Sequence, residues 1–166
     1  MIVLLIVSIV LFAAFWAVMW FVLKDKNGQA YGLQTSISAT YKILLEKLPK
    51  EAHSIWIGLF VLLAIGIVSA GESAWYFGSA IGLLGVGAFP EYWEKDEVKK
   101  HIGAAYLAYL VPVVYMLFFD GMWITTVLAL AWLVFAGLCS TKVIEIKNAT
   151  AIYELIGFVV IVLPLF

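Results

Sequence analysis

Every basic residue of this chain is a lysine, and all ten fall within three segments, 24–53, 91–101 and 140–148, separated by stretches nearly empty of charge. A helix needs about 20 predominantly apolar residues, within a working range of about 17 to 25, to cross the hydrocarbon of a bilayer. Six windows satisfy this: 2–23, 54–71, 73–90, 102–119, 122–139 and 149–166, and only the last carries a charged side chain, Glu154. Threading them in order leaves every lysine on one side. The other side keeps tight turns at Glu72 and at Asp120-Gly121, together with both termini. Lysine-rich loops stay in the cytoplasm, so the lysine side is predicted to be cytoplasmic and both termini outside. The predicted fold is all-α, a polytopic membrane helical bundle of six transmembrane helices plus a short amphipathic interfacial helix.

A water-soluble domain is excluded by composition, because 65% of residues are hydrophobic and only 13% charged, about half the roughly 25% usual in soluble domains. The net charge of −1 leaves no basic cluster apart from acidic neighbours, so no nucleic-acid partner is expected. The single cysteine, Cys139, cannot form an internal disulfide and reads as a small apolar helix residue. The first window, 22 apolar residues without a basic segment before it, is too long for a signal peptide and reads as a retained helix. With no linker or repeat, residues 1–166 are expected to form one six-span domain.

Within 24–53, Ile37, Tyr41, Leu44, Leu45 and Leu48 recur on one helical face, with Ser38, Lys42 and Glu46 opposite and Pro49 closing the segment. This predicts an amphipathic helix in the cytoplasmic interface, capped by Thr35 or Ser36 and supported by a Lys42–Glu46 pair. The other reading is a loop packed on the spans. In span three, Ala74, Gly78, Gly82 and Gly85 form a stripe of small residues that invites a close neighbouring helix, either within the chain or in a homo-oligomer through Gly78, Gly82 and Gly85. Pro112, in the middle of span four, leaves the Ala108 carbonyl without its usual donor and predicts a kink. Trp16, Trp20, Trp56, Trp75, Trp93 and Trp123 fall near the expected interfaces as an aromatic belt, whereas Trp132 is mid-span and should face protein.

The polar residues that could carry chemistry converge on the lysine side. His53 and His101 open spans two and four, Glu91 follows Pro90 at the end of span three, and Glu154 lies about a turn inside span six. A charged group within a span costs roughly 2.5–3.5 kcal/mol at mid-helix on insertion scales. Glu154 therefore reads either as a buried acceptor, proton carrier or ligand contact, or as a carboxylate reaching the headgroups. Bland readings exist for the others too: His53 and His101 touching phosphates, Ser36 and Ser38 as caps, Glu91 in a solvated loop. No zinc-type ligand spacing, Gly-rich phosphate loop or Gly-x-Ser-x-Gly elbow is present. No metal and no cofactor is expected.

The strings Ser36-Ile37-Ser38-Ala39-Thr40-Tyr41, Gly85-Val86-Gly87-Ala88-Phe89-Pro90 and His101-Ile102-Gly103-Ala104, with Glu154 in the last span, resemble a group of small bacterial and phage-borne multi-span proteins. Those carry Ser-Ile-Ser-x-x-Tyr before span two, Gly-Ala-x-Pro closing span three, a His opening span four and a Glu in the final span. The resemblance covers most of the chain and implies a bacterial inner membrane but no particular reaction. It picks out Ser36, Ser38, Tyr41, Pro90, His101 and Glu154. A more distant similarity runs to the Frag/DRAM-type six-span proteins, associated with membrane and lipid homeostasis, in which the loop after span one is drawn outside the cytoplasm.

Together these readings place a polar pocket at the cytoplasmic leaflet, with Ser36, Ser38, Tyr41, Glu91, His101 and Glu154 as candidate binding residues. The function expected is non-enzymatic binding of a membrane lipid headgroup or small polar ligand. An alternative is an intramembrane enzyme acting on lipid, with His101 and Glu154 as acid and base and a Ser nucleophile. A third is bis-His haem ligation by His53 and His101.

Overall fold

The computed structural model describes residues 2–71, 73–91 and 93–166, and within them the chain is all-helical apart from turns and an isolated bridge between Lys24 and Ala30. The helices are α1 (Ile2–Ala17), widening into a π-helical turn at Val18–Val22, then α2 (Thr40–Lys47), α3 (Ala52–Ala70), α4 (Trp75–Ala88), α5 (Val98–Phe118), α6 (Trp123–Ser140) and α7 (Ala149–Val162), which tightens into a 3₁₀ turn at Leu163–Leu165. The turn expected at Glu72 lies outside the described residues.

Four helices are long and apolar enough to cross a membrane: Ile2–Val22, Ala52–Ala70, Val98–Phe118 and Trp123–Ser140. The windows at 73–90 and 149–166 give shorter helices. The 14 residues of α4 rise only about 21 Å at ~1.5 Å each, because Pro90 cannot continue the helix and pushes Phe89 out of helical geometry. In α7, Pro164 has no amide to offer the carbonyl of Val160, and the last turn tightens. The bundle's exterior is apolar, with Val10, Phe77, Ile81, Tyr106, Val127 and Val134 all exposed. Such an apolar exterior is consistent with an integral membrane protein.

α4 lies between α3 and α5, α1 packs on α3, and α6 and α7 pair against α5. The glycine stripe meets α5 of the same chain. A Cβ on Gly82 would stand 2.6 Å from the Ala108 Cα and 2.7 Å from the Ala104 carbonyl oxygen, and one on Gly85 would stand 2.6 Å from the Ala104 Cβ. The surface that the sequence offered to a second copy is thus occupied internally. α5 continues through Pro112, and the Ala108 carbonyl accepts from the buried Ser79 hydroxyl of α4 at 2.8 Å.

Two sequence expectations are corrected here. Trp16, Trp20 and Trp56 are buried rather than arrayed as a belt, Trp56 completely (0% exposed). Trp16 and Trp56 pack tilted or edge-on against each other and against Phe12, Phe15, Phe60 and Tyr41, Trp20 stacks on Trp16, and the Trp20 indole donates to Thr40 Oγ1 at 2.8 Å. Ring partners give all three indoles contact inside, and Trp20 and Trp56 also find an acceptor there, whereas the buried Trp16 Nε1 has none among the described residues. Trp123 is 74% exposed, and Trp132 is buried and donates to the Tyr153 carbonyl.

Segment 24–53 also departs from its expected place in the interface. α2 forms, but it is pressed into the bundle: Ile37 through Tyr41, Ile43 and Leu44 are buried, whereas Leu45 and Leu48 are exposed. The buried face is the one that meets α3 and the π-helical turn. Lys42 lies 4.5 Å over the Trp93 ring and Glu46 pairs with Lys47, so the expected Lys42–Glu46 pair is not the contact made.

Candidate functional site at the meeting of the lysine-bearing segments

The lysine-bearing segment 24–53 touches both of the others. Leu33 and Thr35 run along the start of α7, where their carbonyls accept from Asn148 Nδ2 at 2.6 Å and from the Ala151 amide at 3.2 Å. First-turn amides of a helix have no partner inside it, so an extended neighbour is a ready acceptor. One turn further along α7, Glu154 Oε2 accepts from the Ile37 amide at 2.7 Å.

The chain then turns, with successive i to i+3 bonds donated by Ala39, Thr40 and Tyr41, and Ser36 Oγ accepts from the Ala39 amide at 3.1 Å. Ser36 is therefore a cap, of the turn that leads into α2. The same turn aims Ser38, 5% exposed, at His101 in the first turn of α5, with Oγ and Nε2 2.8 Å apart.

Phe89 completes the arrangement through its backbone. Because the helix stops before Pro90, the Phe89 carbonyl has no amide to accept from within α4, and it takes His101 Nδ1 at 2.6 Å. A carbonyl oxygen can only accept, so Nδ1 carries the proton. In a neutral imidazole Nε2 is then an acceptor, and Ser38 Oγ–H donates to it. The result is a hydroxyl, a base and an orienting acceptor in line.

A small cavity of about 30 Å³ lies beside Ser38 and Glu154, lined otherwise by apolar side chains and Tyr109. Its volume admits a water molecule. The Tyr109 hydroxyl donates to the Glu154 backbone carbonyl at 3.2 Å. Phe12 and Phe158, stacked with centroids 5.5 Å apart, line this cavity and also an apolar groove of about 380 Å³ on the outer surface between α1 and α7.

The remaining candidates are peripheral to the Ser38–His101 pair. Tyr41 packs between Trp56 and Trp93, and burial, then the charges of Glu91 and Glu97, raises its phenol pKa. Glu91 starts the turn before α5 through its backbone carbonyl. His53 is exposed on the first turn of α3 and shares no hydrogen bond with His101, which is buried with both ring nitrogens engaged. Glu154 and His101 do not pair; they hold the adjacent residues Ile37 and Ser38.

Sequence reasoning missed Phe89, which acts through a backbone oxygen and so leaves no side-chain signal. It also missed Tyr109, which did leave one: His101, Ala105 and Tyr109 recur every four residues on one helix face. No protein-family model, curated protein or solved structure matches this chain.

Proposed function

We propose that this chain is a six-span protein of a bacterial inner membrane, with its lysine-bearing segments in the cytoplasm, and that it binds a membrane lipid. In this reading α4 and α7 are the two short spans, tolerated because α4 is flanked by protein on both sides. The contacts that join the three lysine-bearing segments support placing them on one side. The lipid-binding reading is carried by one observation: a cavity holding Ser38 and Glu154 is separated from a surface groove between α1 and α7 by the Phe12–Phe158 pair alone among residues lining both. The groove's apolar walls suit an acyl chain, and Ser38 and Glu154, behind the Phe12–Phe158 pair, are the polar groups that the ester region of the same molecule meets once that pair parts.

The test is the lipid retained by the protein purified in mild detergent, compared with the host membrane. Enrichment of one lipid class, reduced when Val159 in the groove is replaced by Trp, is the expected result. Retained lipid of unaltered composition in both proteins would overturn the reading.

A further inference from the structure

We propose that Ser38 and His101 form a nucleophile–base pair that cleaves the carboxylic ester of a membrane glycerolipid whose acyl chain lies in the α1/α7 groove. This rests on the lipid-binding reading and goes beyond it to a reaction. The polarity of the pair is set by Phe89. With Nδ1 donating to the Phe89 carbonyl, the lone pair that accepts from Ser38 Oγ is on Nε2, 2.8 Å away. A reversed tautomer would leave two acceptors facing each other at Phe89. The orienting role that a carboxylate plays in a Ser-His-Asp triad falls here to a helix-end carbonyl.

The chemistry of the cavity selects the substrate class. Its lining holds Glu154 and no cationic side chain, which disfavours attack on an anionic phosphodiester and suits an uncharged ester carbonyl. Among the described residues, the Ser38 amide donates none of the turn's hydrogen bonds, whose donors are Ala39, Thr40 and Tyr41. That leaves the Ser38 amide as the backbone donor that the pair itself would offer to an oxyanion. The groove starts beside Leu155, next in sequence to Glu154, and runs to Phe166. An acyl chain along it brings its ester to the Phe12–Phe158 wall, which must part for the carbonyl to reach Oγ.

In the first step Oγ bonds to the carbonyl carbon, its proton passes to Nε2, and the ester C–O bond breaks. The leaving alkoxide takes the proton from Nε2 and departs as the lysolipid. Water then attacks acyl-Ser38, giving its proton to Nε2; the acyl–Oγ bond breaks, the carboxylic acid leaves, and Ser38 recovers its proton. The cavity beside Ser38 has room for that water.

The experiment uses the full chain in nanodiscs of diacyl glycerophospholipid, with two serine-directed fluorophosphonates, one long-chain and one short-chain. The expected results are an adduct on Ser38 by peptide mass, release of fatty acid above the Ser38→Ala background, and a labelling rate lowered roughly 10²- to 10⁴-fold in His101→Asn. Val159→Trp should slow the long-chain probe more than the short one. No adduct on Ser38 with either probe, no fatty-acid release, or labelling indifferent to His101→Asn in a protein that still unfolds cooperatively would each overturn the proposal. Lipid analysis of the same samples separates the two levels. Selective lipid retention without labelling leaves binding standing and removes catalysis; loss of both removes both.

Discussion

The Ser79 hydroxyl of α4 donates at 2.8 Å to the Ala108 carbonyl of α5, the acceptor that Pro112, four residues on, leaves without an amide. A backbone defect in one helix is repaired by a side chain of its neighbour. Inside a bundle such a carbonyl has no water to turn to, which is why a proline can sit in the middle of a long apolar helix.

Ser79→Ala should therefore destabilise the protein in detergent by about 1 kcal/mol, in the range found for interhelical bonds in membrane proteins. Replacing Pro112 by Ala restores an amide for Ala108 and should shrink that cost. Chemical unfolding of the two single variants and the double variant measures it; an equal cost of Ser79→Ala in both backgrounds would show that the hydroxyl does not serve this carbonyl.

Gly82→Ala is expected to be more damaging than its single methyl suggests. The added carbon meets the backbone of α5 at Ala104 and Ala108, and backbone cannot rotate away, so overpacking of about 1–3 kcal/mol is expected. Gly137→Ala, with nothing within 4 Å of the new carbon, is the matched control. Comparable unfolding temperatures for the two variants would contradict the close α4–α5 contact.

Glu154 anchors the Ile37 amide, so Glu154→Gln, which keeps an acceptor, should preserve the fold better than Glu154→Ala. Hydrogen exchange at residues 37–41 is the direct readout, and faster exchange is expected in the Ala variant. Because His101 holds the next residue, His101→Ala and Glu154→Ala should couple by roughly 0.5 kcal/mol or more, the loss of the first anchor freeing the segment from the second. Strict additivity would mean that the segment is held elsewhere.

Topology is testable with introduced cysteines, because Cys139 is the only native one and is buried. In a Cys139→Ala background, a membrane-impermeant thiol reagent added outside intact cells should modify a cysteine at Asp120 and leave those at Lys95 and Lys142 untouched. The opposite pattern would invert the proposed orientation.

What the sequence determined by itself is what near neighbours and segment length control. Charge-free runs fixed by the hydrocarbon thickness marked where helices lie, Pro90 marked the end of α4, and the spacing of Gly78, Gly82 and Gly85 marked a face built for close approach. His101 and Glu154 were legible as candidates because apolar helices carry so few polar residues, and Ser36 and Ser38 through the resemblance of the string that holds them. The tertiary structure alone decided their partners. Ser38 and His101 are 63 positions apart, and whether they meet depends on how far each helix is rotated about its axis and where the turn at 36–39 inserts. The same holds for the buried tryptophans, whose place in sequence suggests an interface but whose rings found other rings inside. It holds for Phe89 and Ala108 as well: Pro90 and Pro112 mark in the sequence which carbonyls lose a donor, and only the packing of the neighbouring helix decides that His101 and Ser79 replace it.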